Sequence, residues 1–272
     1  MMTVWVNGVE NGQVKPVDRG LAYGDGLFAT MRVSHHEIQF LTGHFNRLSQ
    51  GAKRLGFDWQ ASPTLKAHLH QQALTMEHGC IKLLLTRGSG GRGYAAPSQL
   101  DITEVVSTHP IPKHYPLWQQ RGIALVSSDV TLGRQPRLAG IKHCNRLEQV
   151  LIKSVPIPLG FDDYLVLDEQ DLVIESSMAN LFFVDKEQAV YTPALSHSGV
   201  AGMMREQVIN GILALGFSVH VKPIPISRLT DFSAAFVTNS LLGVVDVTRI
   251  NDVMYTSDPL TQMLRTELNL VL

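Results

Sequence analysis

The sequence predicts a mixed α/β protein of two domains, and three observations point there. Short runs of strand composition alternate with stretches of helical period, prolines cluster near the middle of the chain, and strand-like runs resume beyond them. At 272 residues, with 44% hydrophobic and 17% charged residues, the chain can bury a sizeable core in one large domain or two medium ones.

The elements follow in order. Val4-Trp5-Val6 before Asn7-Gly8 reads as a strand entering a hairpin turn, and residues 27–33 have strand composition. His44, Leu48, Ala52 and Leu55 then fall at i, i+4, i+8 and i+11, one face of a helix that stops near Gly56. A second helix is expected over 63–76. A buried strand over 81–85 runs into the glycine-rich segment 87–94. Pro110, Pro112 and Pro116 lack periodicity and mark a linker, which gives an N-terminal domain over 1–110, a linker over 111–122 and a C-terminal domain over 123–272. Past the linker, strands are expected over 123–130, 164–167, 181–184 and 234–237, and helices over 203–215 and 259–270. Residues 146–155 form an amphipathic segment. A site between two such domains is a natural place for a ligand.

Composition narrows the partners. The net charge is −1 with no basic block or acidic tail, so nothing suggests a nucleic-acid or membrane-surface partner, and an anionic substrate needs local arginines. Two cysteines, Cys80 and Cys144, make neither a zinc cluster nor a disulfide framework, and no metal is expected. The start lacks the charged region and apolar core of a signal peptide, and no apolar stretch approaches a membrane span. The cytoplasm is the expected compartment.

Lys142 is the residue on which function turns. It follows Gly140 and Ile141 and precedes the amphipathic segment, where a lysine either snorkels to water or has a chemical reason to be desolvated. A desolvated lysine loses its proton more readily and becomes an amine nucleophile for carbonyls. Glu175, at the end of a strand and before small residues, is either a turn acid or a partner for a heteroaromatic nitrogen. Asn180 could orient that carboxylate. Gly199-Val-Ala-Gly-Met-Met-Arg205 opens a helix through glycines. It is an ordinary junction or a phosphate cradle using the amides of Met203 and Met204. Thr238-Asn239-Ser240 is a polar turn or the other side of that cradle. Arg47 packs its stem on a helix or gives a phosphate a charged hydrogen bond.

Taken together and in order, these segments resemble the class IV pyridoxal-phosphate enzymes. The resemblance is carried by Asp18-Arg-Gly-Leu-Ala-Tyr-Gly-Asp-Gly-Leu-Phe28, His44 with Arg47-Leu48, Ile141-Lys142 with Asn145-Arg-Leu147, Glu175 with Asn180-Leu-Phe182, Gly202-Met-Met-Arg205 and Thr238-Asn-Ser240. It implies fold-type IV, with a smaller N-terminal α/β domain and a larger C-terminal one, pyridoxal 5'-phosphate between them and a homodimer. It also implies Lys142 as the Schiff-base lysine and Glu175 as partner of the pyridine nitrogen. Arg47, Met203, Met204, Asn239 and Ser240 become phosphate-site candidates, and Asn180 a cofactor-site residue.

Within the class, segments 86–94 and 132–150 look most like the aminodeoxychorismate lyases. His143, Cys144, Asn145 and Arg146 stand where branched-chain aminotransferases usually show glycines and a tyrosine. Phe28-Ala29 replaces a common Phe-Glu. The resemblance implies a lyase that turns 4-amino-4-deoxychorismate into 4-aminobenzoate and pyruvate in folate biosynthesis, with Lys142 also moving a proton. Arg92 and Tyr94 are candidates for the substrate carboxylates, and Phe28 and Thr30 for the wall near its ring. The alternatives are an aminotransferase for D- or branched-chain amino acids and a cofactor-binding protein without turnover.

Overall fold

A computed structural model of the chain describes residues 3–272; Met1 and Met2, which open the expected 1–110 domain, lie outside the described residues. The chain divides into two compact units. The first runs up to Pro112 and takes back Lys142–Asn145, and the second comprises Lys113–Ile141 and Arg146–Leu272.

The first unit contains β1 (Val4–Val6), β2 (Val9–Glu10), α1 (Arg19–Tyr23), β3 (Gly26–Ser34), β4 (Glu37–Ile38), α2 (Leu41–Arg54), α3 (Pro63–Leu74), β5 (His78–Thr86) and β6 (Thr103–His109). Among the described residues its strands form one six-stranded sheet in the order β2-β1-β6-β5-β3-β4. Asn7 and Gly8 both take positive φ, 49° and 80°, as the tight turn between β1 and β2 requires. Alternation along β3 buries Leu27, Ala29, Met31 and Val33 on the face against which α2 packs, with Leu48 and Ala52 of α2 also in the core. Phe28, Thr30 and Arg32 share the opposite face of the sheet. Register places Thr30 beside Lys82 and Arg32 beside Cys80.

The second unit contains α4 (Tyr115–Arg121), β7 (Ile123–Ser127), α5 (Leu147–Ser154), β8 (Asp163–Leu167), β9 (Val173–Ser176), β10 (Asn180–Asp185), β11 (Val190–Pro193), α6 (Met203–Ala214), β12 (Val219–Lys222), β13 (Phe232–Asn239), β14 (Gly243–Ile250), β15 (Val253–Met254) and α7 (Pro259–Glu267). Its main sheet runs β12-β11-β10-β13-β14-β7-β8-β9, and β10 also pairs with β9. The core is dense around Phe182 and Phe236, which stack with centroids 4.9 Å apart and planes 2° from parallel.

Two features differ from the expected boundaries. Residues 111–122 are not a linker, because Tyr115–Arg121 is a helix of the second unit. Pro116 sits in the first turn of α4, where its missing N–H costs no hydrogen bond, so the proline cluster marks a helix start. Gln119 of this helix donates to the carbonyls of Leu242 and Leu270, each at 2.8 Å. The domains are also not consecutive in sequence. Residues 142–145 join the first unit because Phe28 N donates to Lys142 O at 3.1 Å and Cys144 N to Gly26 O at 2.9 Å. The short helix α1 and strands β6, β11, β12, β14 and β15 add to the elements expected, and the expected helices end at Leu74, Ala214 and Glu267.

Candidate active site

In the first unit, four of the residues singled out in the sequence come together. Lys142 is half-buried, and its Nζ lies 4.6 Å from the centroid of the Phe28 ring. His44 and Arg47 lie one turn apart on α2. Burial, with the positive charges of Arg47 and Lys142, pushes the His44 imidazole down to about 3. Among the described residues neither ring nitrogen of this fully buried histidine has a hydrogen-bond partner. Phe28, His44, Arg47 and Lys142 therefore form a cationic neighbourhood around two rings. Thr30 is half-buried on the same sheet face as Phe28.

In the second unit the polar groups are joined by hydrogen bonds. Glu175 and Asn180 face each other across β9 and β10. Glu175 Oε2 accepts from the N–H of Val200 at 2.9 Å, and Asn180 Nδ2 donates to the Val200 carbonyl at 2.8 Å. The two side chains thus clamp one residue of the loop that leads into α6. The glycines of that loop allow the approach: a Cβ on Gly199 would lie 2.5 Å from Ile174 Cγ2, and one on Gly202 2.2 Å from Asn180 Oδ1. Gly202 caps α6 without a side-chain hydrogen bond, and Met203 and Met204 open the helix directly after it. Asn239 spends its amide on the fold. Its Oδ1 accepts from Leu241 N and Leu242 N, and its Nδ2 donates to Met178 O at 3.2 Å, in the turn between Glu175 and Asn180. Ser240 is half-buried beside it.

Arg92 and Tyr94 are both exposed in the single chain, Tyr94 to 88%. Two groups escaped sequence reasoning. Lys82 Nζ lies 5.1 Å from the same Phe28 ring that Lys142 approaches, and it makes no ion pair among the described residues. Its pairing opposite Thr30 joins distant strands and has no local sequence signature. The second group is the buried set Arg19, Asp25 and Arg87, where Asp25 Oδ2 accepts from Arg19 Nε at 2.9 Å and from Arg87 Nε at 2.7 Å. Alternating glycines next to charged residues were the signal that a loop here needed support.

The model of the family described as amino-transferase class IV matches residues 26–250, most of the chain. The chain belongs to the class IV aminotransferase family. It is 37% identical over 278 residues to an aminodeoxychorismate lyase of Vibrio harveyi, covering 97% of this chain and 99% of that protein. The crystal structure of a 4-amino-4-deoxychorismate lyase from Pseudomonas aeruginosa superposes with a TM-score of 0.92 at 32% identity, covering 99% of this chain and 100% of the other. A D-alanine aminotransferase of Bacillus licheniformis is 27% identical over 258 residues, covering 92% of this chain and 89% of that protein. Class IV members depend on pyridoxal phosphate. The residues present fit such a group: a helix start without a side-chain cap suits a phosphate, a buried carboxylate near the end of β9 suits a ring nitrogen, and a half-buried lysine suits a carbonyl.

Proposed function

We propose that this chain is an aminodeoxychorismate lyase. The reading is carried by the full-length likeness to lyases, 37% identity against 27% for the D-alanine aminotransferase. Two local features support it. Position 29, where the aminotransferase pattern carries a glutamate, is a fully buried alanine. In addition, the Lys82 ammonium lies 5.1 Å from the Phe28 ring, a second cation beside Lys142 that suits an anionic substrate.

Bound pyridoxal phosphate would supply an electron-withdrawing ring. Lys142 would hold it covalently, and Glu175, fixed by the Val200 N–H, would be the partner of its ring nitrogen. Asn180 secures the loop, while Arg47, the amides of Met203 and Met204, and the turn at Asn239 and Ser240 would hold the phosphate. Lys142 would also take the proton from C4 of the substrate. The C3–O bond breaks, enolpyruvate leaves and gains a proton to become pyruvate, and the six-membered ring becomes 4-aminobenzoate. Aromatisation supplies driving force, so the protein mainly orients one C–H bond and steadies charge. Phe28 and Thr30 line the ring, and Arg92, Tyr94 and Lys82 are the groups for the carboxylates.

The reading includes the cofactor, cytoplasmic location and a homodimer. No helix among the described residues is long and apolar enough to cross a membrane. Leu147, Val150 and Leu151 leave an apolar stripe exposed on α5, which supports association. The deciding assay supplies aminodeoxychorismate and looks for 4-aminobenzoate and pyruvate, then supplies D- or branched-chain amino acids with 2-oxoglutarate and looks for glutamate. Aminobenzoate with little glutamate is expected. Vigorous transamination without aminobenzoate would sink the lyase reading.

A further inference from the structure

The glycine-rich loop after β5 is shaped by one buried guanidinium from α1. Arg19 Nη1 donates to the carbonyls of Gly90, Gly93 and Ala95 at 3.3, 3.1 and 3.1 Å, and Nη2 donates to Tyr94 O at 3.0 Å. Four carbonyls of one loop therefore converge on a single side chain that is only 6% exposed. The guanidinium is itself held. Asp25 accepts from its Nε, and the same carboxylate oxygen accepts from Arg87, whose Nη2 reaches Leu55 O at 2.6 Å beyond the end of α2. Below this pair, the fully buried Asp18 caps α1 through Gly20 N at 2.7 Å and accepts from Thr86 and Thr103 at 3.0 and 2.7 Å. Tyr23 connects the two parts, with Arg19 5.0 Å above its ring and the Tyr94 ring 5.4 Å away.

The loop sequence is fitted to this arrangement. Gly91 has φ +81°, and a Cβ there would lie 2.1 Å from Ala95 O and 3.2 Å from Arg19 Nη1. Gly88 has φ +79° and would place a Cβ 1.6 Å from Asp101 O. With four carbonyls of the loop turned inward to one cation, Arg92 and Tyr94 are left exposed. A buried arginine with a carboxylate partner and four carbonyls is costly to assemble for stability alone.

We propose that Arg19 is a positioning residue for the reaction: it sets the shape of loop 88–95 so that Arg92 and Tyr94 meet the substrate, and Asp25 fixes its guanidinium. The inference rests on the lyase reading, in which Arg92 and Tyr94 contact the substrate carboxylates. Arg19 touches no reacting atom and acts through the loop.

The test uses the full-length holoenzyme with Arg19→Lys, Arg92→Met and the double variant, and Gly91→Ala as a second way to disturb the loop should Arg19→Lys fail to fold. Lysine keeps the charge but loses the planar fork that reaches several carbonyls at once. Hydrogen exchange of the amides of 88–96, KM and kcat for aminodeoxychorismate, and cofactor affinity by fluorescence are measured. The expected result for Arg19→Lys is faster exchange confined to the loop, KM raised about tenfold or more, kcat within about threefold and unchanged cofactor affinity. In the double variant the KM increase should fall well short of the product of the single effects. Unchanged KM with a loosened loop overturns the proposal, as does equal loss of kcat and cofactor affinity, which a merely structural arginine would give. Wild-type enzyme that forms no aminobenzoate overturns instead the lyase reading beneath it.

Discussion

The two units prepare their polar residues in opposite ways. In the first, Lys142, Lys82 and Arg47 gather around Phe28 and His44, and the imidazole between them is held neutral by burial and by its cationic neighbours. In the second, Glu175 and Asn180 are tied to one peptide of a glycine loop, and Asn239 is spent on the neighbouring turn. One region concentrates positive charge, and on the proposed reading it holds the reacting amine. The other builds a stiff frame in which an acid cannot wander. The difference teaches that charge can be gathered by strand register and helix period, while an acid is fixed by hydrogen bonds to a glycine loop.

Removing each feature should break its own half. The largest effect is expected from Lys142→Ala, which loses both covalent attachment and the base: aminobenzoate formation should fall by about 10³-fold or more while the fold persists in thermal melts. Glu175→Gln keeps the shape and removes the charge, so kcat should fall by roughly 10²-fold with the melting temperature nearly unchanged; wild-type turnover in this variant would remove the acid from the account.

A pH experiment sharpens the contrast in the first unit. His44 is held at about 3 in the native state against 6.5 for the free side chain, so between those values the unfolded chain binds more protons. Its contribution to stability is present above the unfolded value and is lost as pH falls. Between pH 7 and pH 5 this costs about 2 kcal/mol, measurable by urea titration. His44→Leu should flatten that slope; an unaltered slope would mean that other groups titrate. The smallest effect belongs to the frame. Asn180→Ala leaves the Val200 carbonyl without its donor and should cost about 1 kcal/mol of stability and weaken cofactor binding, while leaving the first unit's pH slope intact.

What could be read from the sequence follows the same division. The helix α2 was legible because His44, Leu48 and Ala52 repeat on one buried face, and β3 because only one of its faces is apolar throughout. Strand β6 was not, because Thr103–His109 mixes polar and apolar residues, and Ser107 and His109 bond to each other at 2.8 Å on one side of the strand. Lys142, Glu175 and Arg47 were proposed from their motifs. Lys82 was not, since strand register brings it opposite Thr30 across fifty-odd residues of chain. Arg19 was visible only as part of a motif, and its work lies in four carbonyls whose positions no pattern encodes. The proline cluster misled because a proline suits the first turn of a helix as well as it suits a linker.

The two lysines at Phe28 give the account its most direct test. Borohydride treatment of the holoenzyme, followed by peptide mapping, fixes the cofactor to the lysine that carries it. The account predicts label on the peptide containing Lys142 and none on that containing Lys82. Label on Lys82, or on any other lysine, would contradict it.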